Sequence, residues 1–139
     1  MQKVDIYLFT STKAPSAKEG KFEYILTCAG RAVAGAGHTG KTTGHRLLLE
    51  CAIAAMRRMN RPAVITIHTD CQYLIGSRMY LSTWKDNGWV KSDGQELKNA
   101  DLWKEWHQIS HIHAVNYEYC PTINIKKDEL KKRFLFSKR

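Results

Sequence analysis

The chain has 139 residues and carries 22 lysines and arginines against 13 aspartates and glutamates, a formal net charge of +9. This length is most simply one domain, residues 1–139, and the charge favours an acidic partner such as nucleic acid. No apolar run approaches the roughly 20 residues that span a bilayer, and the apolar stretch at the N-terminus is too short for a secretory signal. We therefore expect a soluble, cytoplasmic monomer with no membrane partner.

The first third of the chain predicts three strands in an antiparallel meander. Segments rich in β-branched and aromatic residues are separated by turn-forming residues, with a loop over 11–20 and a tight reversal at Ala29-Gly30. The predicted strands are residues 3–10, 21–28 and 30–37.

The rest of the chain changes period. Apolar residues at spacings of three and four predict a helix over residues 45–59, with Thr43 as its cap and an end before Pro62. An apolar run at 63–70 is typical of a strand buried on both faces in a parallel sheet. The remaining predicted elements are a short helix over 72–81, a helix over 99–108, a strand over 113–120 and a basic helix from Lys126.

This order, βββαβαβα, predicts an α/β fold with a five-stranded mixed sheet flanked by helices. The meander would be extended by parallel strands, which need helical crossovers. In open sheets of this kind, chemistry collects at the C-terminal ends of the parallel strands, and Asp70 lies at such an end.

The four cysteines, at positions 28, 51, 71 and 120, form no CxxC pair. The sequence therefore predicts neither a zinc knuckle nor a disulfide framework, and we expect reduced, mostly buried thiols. His111 and His113 alternate along a strand-like segment, where a structural role is favoured over metal ligation.

A phosphate-binding loop is one alternative, because GAGHTGKT at residues 35–42 matches G-x-x-x-x-G-K-[ST] and precedes a helix. In that interpretation Lys41 would hold nucleotide phosphates, Thr42 would reach magnesium, and Asp70 would be the second acidic group. The segment before it is short and built from small residues, unlike a buried parallel strand. Nucleotide hydrolysis is therefore the lesser hypothesis.

Residues 84–103 combine three tryptophans with several lysines. Aromatic faces beside positive charge suit nucleic acid, because sugars and bases contact the rings while ammonium groups bind phosphates. A tryptophan-rich segment packed on its own domain under a charged face is the alternative, and composition does not separate the two.

Together, the element order, TDCQYL at 69–74, the tryptophan-lysine segment and DEL at 128–130 resemble the type 1 ribonuclease H family over nearly the whole chain. The resemblance implies a ribonuclease H-like fold whose basic protrusion is the tryptophan-lysine segment, and RNA/DNA hybrid as the favoured partner. It implies that lysines of this segment supply charge and that two tryptophans contact the DNA sugars. Trp103 is expected in the core or at a hinge. The implied nucleic-acid-binding residues are Lys41, Thr42, Thr43, Trp84, Lys85, Trp89, Lys91, Lys98 and Asn99.

The family cleaves the RNA strand of hybrids with four carboxylates around two magnesium ions, and only two of the four are matched here. The resemblance makes Asp70 and Asp128 the candidate catalytic and metal-binding residues. Ser11 stands where the first aspartate would be, and Leu48 stands where the helix glutamate would be. Binding of Mg²⁺, the implied cofactor, should therefore be weak or absent, because the charge of two ions would not be offset.

Other family features are also altered. Glu50 could replace the helix glutamate, but two residues along a helix are a rotation of about 200°, so it should face away from the site. Gly44 and His45 replace the family's asparagines, and the loop histidine before the fourth carboxylate has no counterpart in PTINIKK. The basic terminus, residues 131–139, either adds phosphate attraction or is a solvated tail.

The sequence thus predicts a hybrid-binding protein in which hybrid cleavage is absent or strongly reduced. An active magnesium-dependent endoribonuclease with a rearranged ligand set is the alternative. A degenerate domain used for protein contacts is a third hypothesis.

Overall fold

A computed structural model describes residues 1–134 and places five strands in one sheet flanked by helices. The strands are β1 (Lys3–Thr10), β2 (Lys18–Cys28), β3 (Arg31–Thr42), β4 (Val64–Thr69) and β5 (Ala114–Tyr119). The helices are α1 (Gly44–Met56), α2 (Gln72–Ser77), α3 (Leu81–Asp86), α4 (Ala100–Ser110) and α5 (Ile123–Phe134). The predicted α/β fold with a five-stranded mixed sheet is confirmed.

The sheet has the strand order β3-β2-β1-β4-β5. β1, β2 and β3 pair antiparallel, as the meander requires, whereas β4 pairs parallel with both β1 and β5. Tyr7 is the partner of His68 in the parallel register. The ends of β1 and β4 therefore lie side by side, and Asp70 is placed next to the segment that follows β1.

Alternation along β1 divides the core between the two faces of the sheet. Ile6 and Leu8 join the larger cluster with α1 and α4, whereas Tyr7 and Phe9 face α5. Trp103 of α4 is only 1% exposed in the larger cluster. Helices α1 and α5 thus cover opposite faces of the sheet, and α4 is anchored beside α1.

The glycine-rich segment at 35–42 belongs to β3, an extended edge strand. A Cβ added at Gly35 would overlap the ring of Tyr24, and one at Gly37 would overlap the ring of Phe22. These glycines make room for two rings of the neighbouring strand. The phosphate-binding-loop hypothesis is wrong, because backbone amides extended along a strand do not converge on one phosphate.

Several element boundaries differ from those predicted, because pairing and packing outside the local segment determine them. Lys18 pairs with Thr42, so β2 begins inside the predicted loop and β3 continues past residue 37. The predicted helix over 72–81 ends early, at Ser77, and a second short helix, α3, begins at Leu81. α5 begins at Ile123 rather than Lys126. β4 is buried on one face and only half-buried on the other, not buried on both.

The predicted placement of His111 in a strand is wrong, because α4 continues to Ser110 and His111 follows it as the C-cap. His113 lies in the turn before β5, where its Nδ1 accepts a hydrogen bond from the backbone N–H of Ala63 at 3.1 Å. This contact gives His113 the structural role that was favoured over metal ligation.

The four cysteines are unpaired, as expected, but only Cys51 is buried, so the prediction of mostly buried thiols is wrong. The other three are half-buried near strand ends. Within residues 1–134, no helix has the length and apolar character to cross a membrane. The part of the basic terminus at 135–139 lies outside the described residues.

Candidate active site and nucleic-acid interface

Asp70, at the end of β4, forms an ion pair with Lys13, whose Nζ lies 2.8 Å from Oδ2 of the aspartate. The aspartate side chain is 14% exposed and the lysine side chain 54%. The pair borders a cavity of about 230 Å³ whose wall includes His45, Leu48 and Tyr73. Lys13 was not predicted as a site residue, because a single lysine in a loop has no distinguishing pattern.

The loop that carries Lys13 is held against the start of α1. The N–H of Gly44 donates to the carbonyl of Ala14 at 2.8 Å, and the Thr12 hydroxyl accepts from the N–H of Ala14 at 3.0 Å. A Cβ at Gly44 would lie 2.5 Å from backbone atoms of Lys13. The close approach of loop and helix therefore requires glycine at this position.

Replacing Gly44 by alanine is expected to lower the free energy of unfolding by about 1–3 kcal/mol, because the loop must move off the helix. The matched control is Gly40→Ala, since no atom lies within 4 Å of a Cβ placed there. Thermal or urea unfolding of the two variants measures the difference. Equal stability of the two variants would contradict the tight approach at Gly44.

Helix α1 presents Leu48 to the Asp70 cavity rather than a carboxylate. Leu48 is 1% exposed and forms part of the cavity wall. Glu50 instead faces β3, where the Thr39 hydroxyl donates to its carboxylate and Nε of Arg46 lies 3.7 Å away. Glu50 is thus turned away from the cavity, as predicted from the rotation of about 200° between positions 48 and 50 of the helix.

Asp128 and Ser11 do not line the cavity that contains Asp70. Asp128 is exposed on α5, which packs against the other face of the sheet. The Ser11 hydroxyl accepts from the N–H of Lys21 at 2.8 Å and borders a separate cavity of about 570 Å³; Thr10 lines both cavities.

The residues around Asp70 do not fit a metal pair. Within residues 1–134, no group of three or more histidine, cysteine, aspartate or glutamate side chains is arranged to hold a metal ion. The one carboxylate of the cavity is already paired with an ammonium group. Magnesium prefers several hard oxygen ligands in near-octahedral geometry, and this arrangement does not offer them.

Tyr73 connects the cavity to the start of α4. Its phenol oxygen accepts hydrogen bonds from Nε1 of Trp103 at 3.1 Å and from Nδ2 of Asn99 at 3.2 Å. Nη1 of Arg46 donates to Oδ1 of Asn99 at 3.3 Å. Asn99 has a φ of +60°, a conformation that asparagine tolerates better than most residues. Both ends of its amide are engaged, so Asn99 orients the chain entering α4.

His45 stacks on the Tyr73 ring at 3.9 Å between centroids and 11° between planes. Desolvation and the positive charge of Lys98 lower the pKa of His45 below its ordinary value. The neutral imidazole is therefore favoured at neutral pH. It presents one donor and one acceptor at the rim of the Asp70 cavity.

Trp84 and Trp89 are half-buried and pack against the larger core cluster. The Trp84 ring lies 5.4 Å from that of Trp103 and 5.8 Å from that of Tyr80. Trp89 meets His107 edge-on at 5.8 Å. Part of each ring surface therefore supports the domain itself, and only the remainder is accessible. Trp103 is buried, as expected for a core residue.

The predicted phosphate-binding lysines are exposed. Lys41 is the penultimate residue of β3, Lys85 lies on α3, and Lys91 and Lys98 lie between α3 and α4. In the described part of the chain, no carboxylate pairs with any of them, although Lys13, Lys126, Lys127 and Lys131 all have acidic partners. The positive charge of the predicted phosphate-binding lysines, Lys41, Lys85, Lys91 and Lys98, is therefore not neutralised by a neighbouring carboxylate.

The two threonines before α1 are placed differently. Thr42 is 3% exposed, and its hydroxyl donates to the carbonyl of Thr43 at 3.2 Å. Thr43 caps α1 by accepting the N–H of Arg46 at 3.3 Å, which confirms its predicted capping role. The buried hydroxyl of Thr42 is not presented to a phosphate in this structure.

Comparison with known proteins now identifies the family, since the model of the RNase H family matches residues 2–125. The chain belongs to the RNase H family. Ribonuclease H of Legionella pneumophila (strain Lens) is 34% identical over 118 residues, covering 84% of this chain and 82% of that protein. Ribonuclease H of Cupriavidus necator is 31% identical over 120 residues, covering 86% and 82%. In this RNase H chain, Asp128 lies beyond the residues matched by the family model.

Solved RNase H structures share the fold. LC9-RNase H1, a type 1 RNase H with the type 2 active-site motif, gives a TM-score of 0.73 at 21% identity and covers 94% of this chain and 70% of that one. LC11-RNase H1 in complex with RNA/DNA hybrid gives a TM-score of 0.58 at 17% identity, covering 91% and 92%.

Proposed function

We propose that this RNase H family protein binds RNA/DNA hybrid or a related duplex, and that its metal-dependent hydrolysis of the RNA strand is absent or strongly reduced. The observation that carries the proposal is the Asp70 cavity. There an ammonium group pairs with the one carboxylate, and the side chain of Leu48 forms the wall. Two-metal hydrolysis needs several carboxylates to offset and position two divalent ions. Asp70 and Asp128, which line no common cavity, are too few for that task.

The charge distribution supports the binding half of the proposal. The chain has a net charge of +9. Within residues 1–134, no carboxylate forms an ion pair with Lys41, Lys85, Lys91 or Lys98. The accessible parts of Trp84 and Trp89 lie in the same segment and would contact the sugars of one strand. LC11-RNase H1, which shares the fold, was solved in complex with RNA/DNA hybrid. The proposed phosphate contacts are Lys41, Thr43, Lys85, Lys91 and Lys98, with Thr42 and Asn99 as positioning residues.

The test measures hybrid affinity and hybrid cleavage on one preparation in the presence of Mg²⁺. We expect binding without cleavage. With about five phosphate contacts, log affinity should fall against log salt with a slope of roughly −3.5 to −4.5. Lys85→Ala should make that slope shallower by about one phosphate contact. Lys3→Ala, at the opposite end of β1, is the matched control and should leave it unchanged.

The other outcomes separate the competing hypotheses. Efficient cleavage that Asp70→Asn abolishes would establish an active endoribonuclease with a rearranged ligand set. Binding of two Mn²⁺ ions at Asp70 in a soaked crystal would support the same conclusion. Weak hybrid binding without a salt slope would instead favour a domain used for protein contacts. The monomeric state and cytoplasmic location stay predictions.

A further inference from the structure

We propose that the ammonium group of Lys13 is a built-in cation at the Asp70 position, which lets the protein bind a nucleic-acid phosphate beside Asp70 without a metal ion. The inference deepens the proposed function and rests on it, because it assigns a nucleic-acid backbone to this cavity. It follows from the mismatch between the residues present and a divalent metal.

The geometry supports a role for Lys13 beyond neutralising Asp70. Its Nζ is 2.8 Å from the aspartate oxygen, and about half of the lysine side chain is exposed, whereas the aspartate is 14% exposed. An ammonium group has three N–H donors and no acceptor. One donor is used by Asp70, so the others remain for a phosphate oxygen approaching from solvent.

The position of Lys13 is determined by the fold. Its loop is hydrogen-bonded to the first residue of α1 through Ala14, and the absence of a Cβ at Gly44 lets the two segments touch. The carboxylate it meets lies at the adjoining ends of β1 and β4. The contact of the loop with α1 and the parallel pairing of β1 with β4 thus together place the Lys13 ammonium at the C-terminal ends of these two strands.

Electrostatics explain why the cation matters for binding. An unpaired Asp70 would repel the phosphates of a polyanion, since charges of like sign interact strongly where solvent screening is reduced. Asp70 is the only carboxylate among the residues that line this cavity, so one ammonium is enough to neutralise it. A magnesium ion would have to displace that ammonium and would gain a single carboxylate. Magnesium gives up its water reluctantly, which favours the lysine.

A surface ion pair usually contributes little to stability, and the pair need not stabilise the fold to serve this role. Its effect should instead appear in the dependence of binding on metal ions. At matched ionic strength, wild-type protein should bind a fluorescent RNA/DNA hybrid equally well in EDTA and in Mg²⁺.

Lys13→Met removes the charge and keeps a side chain of moderate length. In EDTA this variant should bind the hybrid on the order of tenfold more weakly, the loss expected for a charge-assisted contact. Mg²⁺ should restore part of the affinity, because Asp70 can then accept a cation. Asp70→Asn in the Lys13→Met background should restore part of the affinity even in EDTA, since the repelling charge is gone although the lysine contact is not replaced. Lys3→Met is the matched control for loss of one positive charge.

A second measurement tests the inference without nucleic acid, so that its failure is distinguishable from failure of hybrid binding. Mn²⁺ titration followed by electron paramagnetic resonance should show severalfold tighter binding by Lys13→Met than by wild type. Asp70→Asn should abolish that gain. Equal Mn²⁺ binding by wild type and Lys13→Met would overturn the inference, whatever the hybrid affinity. A wild-type protein that binds hybrid only with Mg²⁺ would overturn it as well.

Discussion

Combining Thr10→Asp, Leu48→Glu and Lys13→Ala, three residues that line the Asp70 cavity, is expected to produce Mg²⁺-dependent cleavage of RNA/DNA hybrid, with a rate on the order of a hundredfold or more above wild type. Leu48 already lies in the wall of the Asp70 cavity, so a glutamate there would face Asp70. Removal of Lys13 frees the aspartate from its ammonium partner. Cleavage of a labelled hybrid, compared with single-stranded RNA, measures the gain.

The controls separate metal chemistry from other effects. Asp70→Asn added to the triple substitution should remove the activity, and Leu48→Glu alone should give little, because Lys13 still competes for the new charge. Circular dichroism establishes that each variant is folded, since a carboxylate at a 1% exposed position carries a desolvation cost. A folded triple variant that neither binds Mn²⁺ nor cleaves would contradict the assignment of these positions.

Trp103→Ala is expected to lower the free energy of unfolding by about 3–5 kcal/mol, the range for truncating a large buried aromatic residue. The Trp103 side chain is 1% exposed, contacts the Trp84 ring and donates a hydrogen bond to Tyr73. Total stabilities of small domains are about 5–15 kcal/mol, so this loss alone could leave a large unfolded fraction. Urea unfolding monitored by circular dichroism measures it.

Two further variants show how much of the lost stability comes from the Trp103 hydrogen bond and how much from burial of the ring. Trp103→Phe keeps most of the ring but removes the Nε1 donor, so its loss should be smaller than that of the alanine variant. Trp89→Ala truncates a tryptophan that is only half-buried, and should also cost less. If Trp89→Ala and Trp103→Ala were equally destabilising, the distinction between a partly accessible ring and a core ring would be incorrect.

The elements that could be predicted correctly are those whose apolar pattern reflects the burial of their own side chains. β1 was predicted with its observed bounds, because both faces of residues 3–10 contact core residues. β2 and β3 were predicted too short, since their outer parts depend on pairing with each other. The break between α2 and α3 has no proline, and its one turn-forming dipeptide, Gly76-Ser77, lies inside the apolar pattern that predicted a single helix.

Some residues of the candidate site could likewise be predicted from the sequence, whereas others depend on tertiary packing. Family resemblance placed Asp70 and Leu48 at positions that the structure brings to one cavity. Lys13 could not be predicted, because its partner depends on how a loop packs on a glycine far along the chain. The burial of Thr42 depends likewise on β2 and α1, and its motif gave no indication that its hydroxyl would be bonded to the backbone.

Gly35 and Gly37 limit how the sequence of β3 can vary. Rings from β2 occupy the space where side chains at positions 35 and 37 would stand. A new side chain at 35 is tolerated only with a smaller residue at 24, and one at 37 only with a smaller residue at 22. Gly35, the first glycine of the apparent nucleotide-binding signature, is therefore paired with Tyr24, and Gly37 is paired with Phe22. Substitutions at positions 35 and 37 should occur together with substitutions at positions 24 and 22.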